Sequence, residues 1–95
     1  MFLSKYLNEF YYEQILDNYD DDYLNTLDED NFIKIYHLFQ KYNFYFIEDI
    51  ILNYLELFTL DSTEVEEGIM KLKDKLGDNF VNIIGNNMIY LTEII

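Results

Sequence analysis

Seven carboxylates fall within the fifteen residues DNYDDDYLNTLDEDN, positions 17 to 31, with no Lys or Arg among them. Calcium is the first chemistry such a stretch suggests. A hand-type calcium loop needs oxygen ligands at alternate positions, a glycine at its sharp turn and a glutamate at its twelfth position. Counted from Asp17, Asp20 or Asp28, neither the glycine nor the glutamate falls in register. The most the pattern supports is weak surface binding of divalent ions by Asp20, Asp21 and Asp22.

Other site chemistries meet missing residue types. His37 is the single histidine and there is no cysteine, so one chain cannot assemble the usual zinc ligand sets. No Glu-x-x-His pair exists for a di-iron bundle. No acid stands two positions before a lysine, as a common nuclease half-site needs, and Ser4 and Ser62 are the only serines for a nucleophilic triad. Gly68, Gly77 and Gly85 are isolated and form no phosphate-cradling loop. The sequence therefore predicts no catalytic residue, no metal and no cofactor, and leaves surface recognition.

Net charge is −13. Residues 1 to 33 hold one Lys against nine acids, and residues 34 to 95 hold five Lys against ten. Such a surface repels nucleic acid and anionic headgroups and attracts basic proteins. The 18 Phe and Tyr residues and an apolar fraction near one half are enough for a packed core, which argues against disorder. Absence of Ala, Arg, Pro, Cys and Trp, with abundant Asn, Ile, Lys, Tyr, Phe and Asp, points to an AT-rich genome of a low-GC bacterium, its phages or its plasmids. Codon bias alone can supply the ten Tyr and ten Asn. The first residues read as no signal peptide, and the run FYFIEDIILNYLELF is too short and too interrupted by Glu48, Asp49, Asn53 and Glu56 to span a bilayer. A cytoplasmic location in a bacterial host follows as the expectation, with no membrane contact.

The elements that must position the acids are helical. Leu3, Tyr6/Leu7, Phe10 and Gln14/Ile15 step by three or four along a first helix. If that helix runs on into the acidic stretch, Glu9, Glu13, Asp17 and Asp20 share its opposite side. Their separation of about 5–6 Å is of the order of the phosphate spacing along a nucleic-acid strand. Asp28 is placed to cap a second helix carrying Phe32, Ile35, Tyr36, Phe39 and Tyr42, with Thr26 and Glu29 as an alternative capping box and Asn43 as its end. Residues 46 to 58 predict one central helix with a wide apolar arc. Ser62 to Leu76 reads as a helix with glutamates first and lysines last, closed by Gly77. Asp78 is placed to cap a shorter helix, and MIYLTEII supplies a last apolar turn or two.

An internal echo runs through these elements. TLD at 26 to 28 recurs at 59 to 61, and Phe32, Tyr36 and Phe39 align with Val65, Ile69 and Leu72 at the same offset of 33 residues. Ile50-Ile51 aligns with Ile83-Ile84 and Phe58 with Leu91. Periods of this length with two helices per unit are how helical solenoids read. The segment IILNYLELFTLDSTEVEEGIMKLKDKLG, residues 50 to 77, resembles mitochondrial-terminator-type repeats, with their short helix, L…L turn and longer helix ending in LG. The resemblance covers about one and a half units and lacks the family's turn proline. Because the family's nucleic-acid groove is basic, the likeness implies architecture only.

The sequence thus predicts one all-α domain over residues 1 to 95: a compact bundle of five to seven short helices, built as two helix-pair repeats of about 33 residues. Its expected role is to bind and block a basic nucleic-acid-handling defence protein, as anti-CRISPR or anti-restriction inhibitors do. The contact residues expected are Asp17, Asp20, Asp21, Asp22, Asp28, Glu29 and Asp30, with Tyr19 and Tyr23 as aromatic anchors. The alternatives are an immunity or antitoxin protein, and a module that docks MIYLTEII on a second copy.

Overall fold

Three short polar side chains set the three longest helices. Asn8 Oδ1 accepts from the Tyr11 N–H (3.0 Å), Asp28 Oδ1 from the Asn31 N–H (3.2 Å) and Asp61 Oδ1 from the Thr63 N–H (2.8 Å). The computed structural model describes all 95 residues, arranged as α1 (Glu9–Asn18), α2 (Asp21–Asn25), α3 (Glu29–Lys41), α4 (Ile47–Asn53), α5 (Ser62–Leu76) and α6 (Phe80–Asn86). Three 3-10 helices, Phe2–Lys5, Leu55–Thr59 and Met88–Glu93, complete an all-α fold.

The 33-residue echo is a structural register. α3, α4 and Leu55–Thr59 begin at positions 29, 47 and 55; α5, α6 and Met88–Glu93 begin at 62, 80 and 88. Buried residues match at that offset: Phe32 with Val65, Phe39 with Leu72, Ile47 with Phe80, Ile51 with Ile84 and Phe58 with Leu91. A threonine marks the close of each unit. Thr26, Thr59 and Thr92 donate their hydroxyls to the carbonyls of Tyr23, Glu56 and Ile89 at 2.6, 2.7 and 2.7 Å. α1 and α2 therefore form a partial unit ahead of two full ones.

Twenty-one buried residues make one core, all of them apolar. Phenylalanine rings run through it in edge and stacked contacts, from Phe2 through Phe32 and Phe58 to Phe39, Phe44 and Phe80. Phe58 is the hinge of that chain, 4.8 Å from Phe32 and 5.7 Å from Phe39. α3 ends as a Schellman motif: the Phe44 N–H reaches the Phe39 carbonyl and the Asn43 N–H the Gln40 carbonyl, both at 3.0 Å. Asn43 supplies the left-handed residue (φ 64°), the side chain other than glycine best suited to it.

Five expectations change. The first helix is interrupted, because Asn8 leaves the helical backbone to cap α1 and its N–H donates to Glu48 Oε2 at 2.8 Å. Leu3 and Leu7 stay in the core, but Phe10 turns outward and is 64% exposed. α1 ends at Asn18, so Asp20 leaves the row of Glu9, Glu13 and Asp17 and starts α2 instead. Residues 46 to 58 break at Tyr54 (φ −136°, ψ 47°) into α4 and a 3-10 helix. One straight α-helix would turn Leu55 and Leu57 about 200° apart, whereas the break buries both, together with Phe58. α6 takes Asn79, not Asp78, at its N-cap, and Asn79 Oδ1 accepts from Asn82 Nδ2 at 2.7 Å. The alternative capping box also fails: Thr26 bonds backward to Tyr23, and Glu29 lies 3.6 Å from Lys5.

Candidate protein-interaction surface

The corner between α1 and α2 is folded from the inside by two tyrosines. Tyr19 leaves the helix in an extended conformation (φ −126°, ψ 142°), and its hydroxyl donates to the Leu52 carbonyl at 3.3 Å. Its ring stacks on Tyr23 with centroids 5.6 Å apart, while Leu24 enters the core. Burial, and then the charge of Glu56, pushes both phenols above their ordinary pKa. With Tyr19 and Tyr23 half-buried on the inner side, Asp17, Asp20, Asp21 and Asp22 are left exposed outside.

These four carboxylates have no counter-ion. The ion pairs of the protein are Lys5–Glu29, Lys41–Glu66 and Lys75–Glu93. Asp20 occupies the α2 N-cap position without a side-chain cap bond, and Asp21 and Asp22 fill the first helical turn. The other three acids of the stretch sit differently, at the start of α3. Asp28 is committed to its cap, Glu29 is half-buried beside Lys5, and Asp30 is exposed. The structure thus gathers Asp17 and Asp20 to Asp22 at one corner and spends two of the remaining three acids locally.

A cleft of about 270 Å³ adjoins this corner, lined by Met1, Tyr12, Leu16, Asp21, Leu24 and Asn25. Leu16 and Met1 leave it with exposed apolar walls, and Asp21 stands at its polar side. Tyr12 and Leu16, four residues apart on α1, are the signal for this cleft, one that the Leu3/Leu7/Phe10 stripe obscures. Glu56 is the other contributor not read from the sequence; it occupies the position 33 residues after Tyr23.

Elsewhere the surface holds two further depressions. One of about 210 Å³ lies where successive units meet, lined by Thr26, Leu27, Asp28, Asn31, Phe58 and Thr59. There Asn31 Nδ2 bridges the carbonyls of Phe58 and Leu60 at 2.9 Å each, tying the start of α3 to the end of its own unit. The other, of about 300 Å³, lies between the α3–α4 and α5–α6 connections. No group of three or more His, Asp or Glu side chains converges as a metal site, and His37 is exposed on α3 beside the Tyr36 ring. No helix is long and apolar enough to cross a membrane. The tail MIYLTEII is mostly spent within the chain: Leu91 is fully buried, Met88, Tyr90 and Ile94 pack on the core, and Ile89 and Ile95 remain exposed.

Comparison with protein-family models, curated proteins and solved structures finds no match. The likeness to mitochondrial-terminator-type repeats expected from residues 50 to 77 therefore has no support among them.

Proposed function

We propose that the chain is a small protein-binding inhibitor, acting in the bacterial cytoplasm on a basic nucleic-acid-handling protein of the kind that anti-CRISPR or anti-restriction proteins block. The observation that carries this reading is the corner of Asp17, Asp20, Asp21 and Asp22, exposed, without ion-pair partners in the chain and next to an open cleft. Uncompensated carboxylates steer a basic partner into encounter at low salt. The open cleft beside them, with Tyr12 and Leu16 on its wall, then offers a concave seat of mixed polar and apolar character for a side chain of the partner, which a flat charged patch lacks. Glu9, Glu13 and Asp17 follow one another at i, i+4 spacing along α1, extending the negative surface.

The experiment is affinity capture from a low-GC bacterial lysate, followed by binding of the purified partner across a salt series. Affinity is expected to fall steeply with salt, to fall further in the Asp20→Asn/Asp21→Asn/Asp22→Asn variant, and to be competed by the partner's own nucleic acid. A captured toxin whose binding ignores nucleic acid would support the immunity reading instead. Binding indifferent to both salt and the triple variant would overturn the proposal.

A further inference from the structure

The depression between the α3–α4 and α5–α6 connections joins equivalent parts of the two full units, and it differs in chemistry from the acidic corner. Tyr42, Asn43 and Tyr45 line one side; Asp78, Asn79, Phe80, Val81 and Asn82 line the other. The Tyr45 ring is 71% exposed, yet its hydroxyl is held by Asn82 Oδ1 at 3.2 Å, so the ring is presented at a fixed place. Asn82 is held in turn by Asn79, and Phe46 packs edge-on against the Tyr45 ring at 5.0 Å. Polar capacity in the groove is unequal. The Asp78 carboxylate makes no ion pair, and no lysine lines the groove. Lys41, beside Tyr42, lies 5.4 Å from the Tyr42 ring and pairs with Glu66 at 2.8 Å.

We propose that this groove is the seat for an arginine side chain of the basic partner, with the guanidinium stacked on Tyr45 and paired with Asp78. The inference rests on the reading of the protein as a binder of basic proteins and names a second contact on it, apart from the acidic corner. A fixed, open aromatic face suits a planar, weakly hydrated guanidinium better than the compact ammonium of lysine. The carboxylate of Asp78 and the amide oxygen of Asn43 are the acceptors such a group requires, and neither is used within the chain. Arginine is also among the residues that dominate interface energetics when seated in this way.

The test is a titration of the intact isotope-labelled chain with N-acetyl-arginine amide, read by amide chemical shifts, with the neutral isostere N-acetyl-citrulline amide as control. Shifts are expected to centre on Asn43, Tyr45 and Asp78 to Asn82, and to saturate in the millimolar range. Citrulline and the Tyr45→Ala and Asp78→Asn variants are each expected to bind about fivefold or more weakly, the effect of losing one stacking or charged contact worth about 1 kcal/mol. Tyr45→Phe keeps the ring but loses the bond that fixes it, and is expected to bind more weakly than the parent and more tightly than Tyr45→Ala. Asp78 is exposed and outside the core, and the amide spectrum of Tyr45→Ala, whose ring meets the core residue Phe46, reports directly whether that variant keeps its fold. Shifts centred on Asp17 to Asp22 would overturn the groove while leaving the acidic-corner reading standing. Shifts spread over all carboxylates, or equal binding of citrulline, would overturn the groove as well.

Discussion

Ile94 lies directly over Gly68: a Cβ added to that glycine would stand 2.8 Å from Ile94 Cγ1 and 2.9 Å from Cγ2. The glycine sits in the middle of α5, where alanine is otherwise better by about 1 kcal/mol. Gly68→Ala is therefore expected to destabilise the protein, because the β-branched Ile94 cannot withdraw without lifting the chain end. In an Ile94→Ala background the same change is expected to stabilise by roughly 0.5–1 kcal/mol. Urea denaturation of the double-mutant cycle reads the sign reversal, and additivity would refute the contact.

Removing a cap is expected to cost the same in either unit. Asp28→Ala and Asp61→Ala should each lose about 1 kcal/mol of stability, since both carboxylates accept a backbone N–H of the first helical turn. Their effects should add, as they serve separate helices. Denaturant midpoints measure this.

Phe58→Ala is expected to be the most damaging single truncation. It removes the ring that links Phe32 to Phe39 and leaves a cavity at about 3–5 kcal/mol. Against a typical total of about 5–15 kcal/mol this predicts a marginal fold at 37 °C. Thermal unfolding by circular dichroism provides the check, and a midpoint within a few degrees of the parent would contradict it.

Stability should fall on the alkaline side. Hydrogen bonding to Asp49 raises the Tyr11 phenol and hydrogen bonding to Glu66 raises that of Tyr42, while burial raises Tyr19 and Tyr23. In each case the native state holds its proton more tightly than the unfolded chain does. The stabilisation is complete below the unfolded value of about 10 and is lost as pH rises above it. Glu66 behaves in the opposite sense. Hydrogen bonds from Lys41 and then Tyr42 hold its pKa down, so its contribution is present above the ordinary glutamate range and is lost as pH falls through the lowered value. Urea midpoints across pH test the tyrosine arm. Carboxyl titration by NMR in Lys41→Met and Tyr42→Phe tests the other, with Glu66 expected to move up in both.

Much of this fold was legible in advance, and unevenly so. α5 was readable from Ser62 to Gly77 because charge gradient, apolar period and terminal glycine agree, although its cap, Asp61, was not read as one. α3 was readable from Asp28 and the Phe32/Ile35/Phe39 stripe. The α4 region was not, because whether Leu55 and Leu57 share a helix with Ile50 is decided by where Phe32 and Phe39 wait for Phe58. Phe10 misled for a similar reason: its spacing fits the Leu3/Leu7 face, but the Asn8–Glu48 bond resets the helix between them. At the candidate surface, sequence density singled out the acids, of which Asp17 and Asp20 to Asp22 lie exposed around the α1–α2 corner. It did not reveal that Asp28 and Glu29 have local partners, or that an open cleft lies beside Asp21.

The register between α3 and α5 also bears on how the molecule could grow. Asn31, Ile35 and Leu38 on α3 and its C-cap Tyr42 are all at least half-buried, whereas their counterparts Glu64, Lys71 and Lys75 on α5 are exposed and Gly68 is roofed by Ile94. A duplicated unit spliced between α3 and α5 would meet apolar surface on both sides and lengthen the array. The same unit added beyond α6 would meet charge. Two copies of one helix pattern thus present different faces, apolar on α3 where a neighbouring unit packs and charged on α5 where none does.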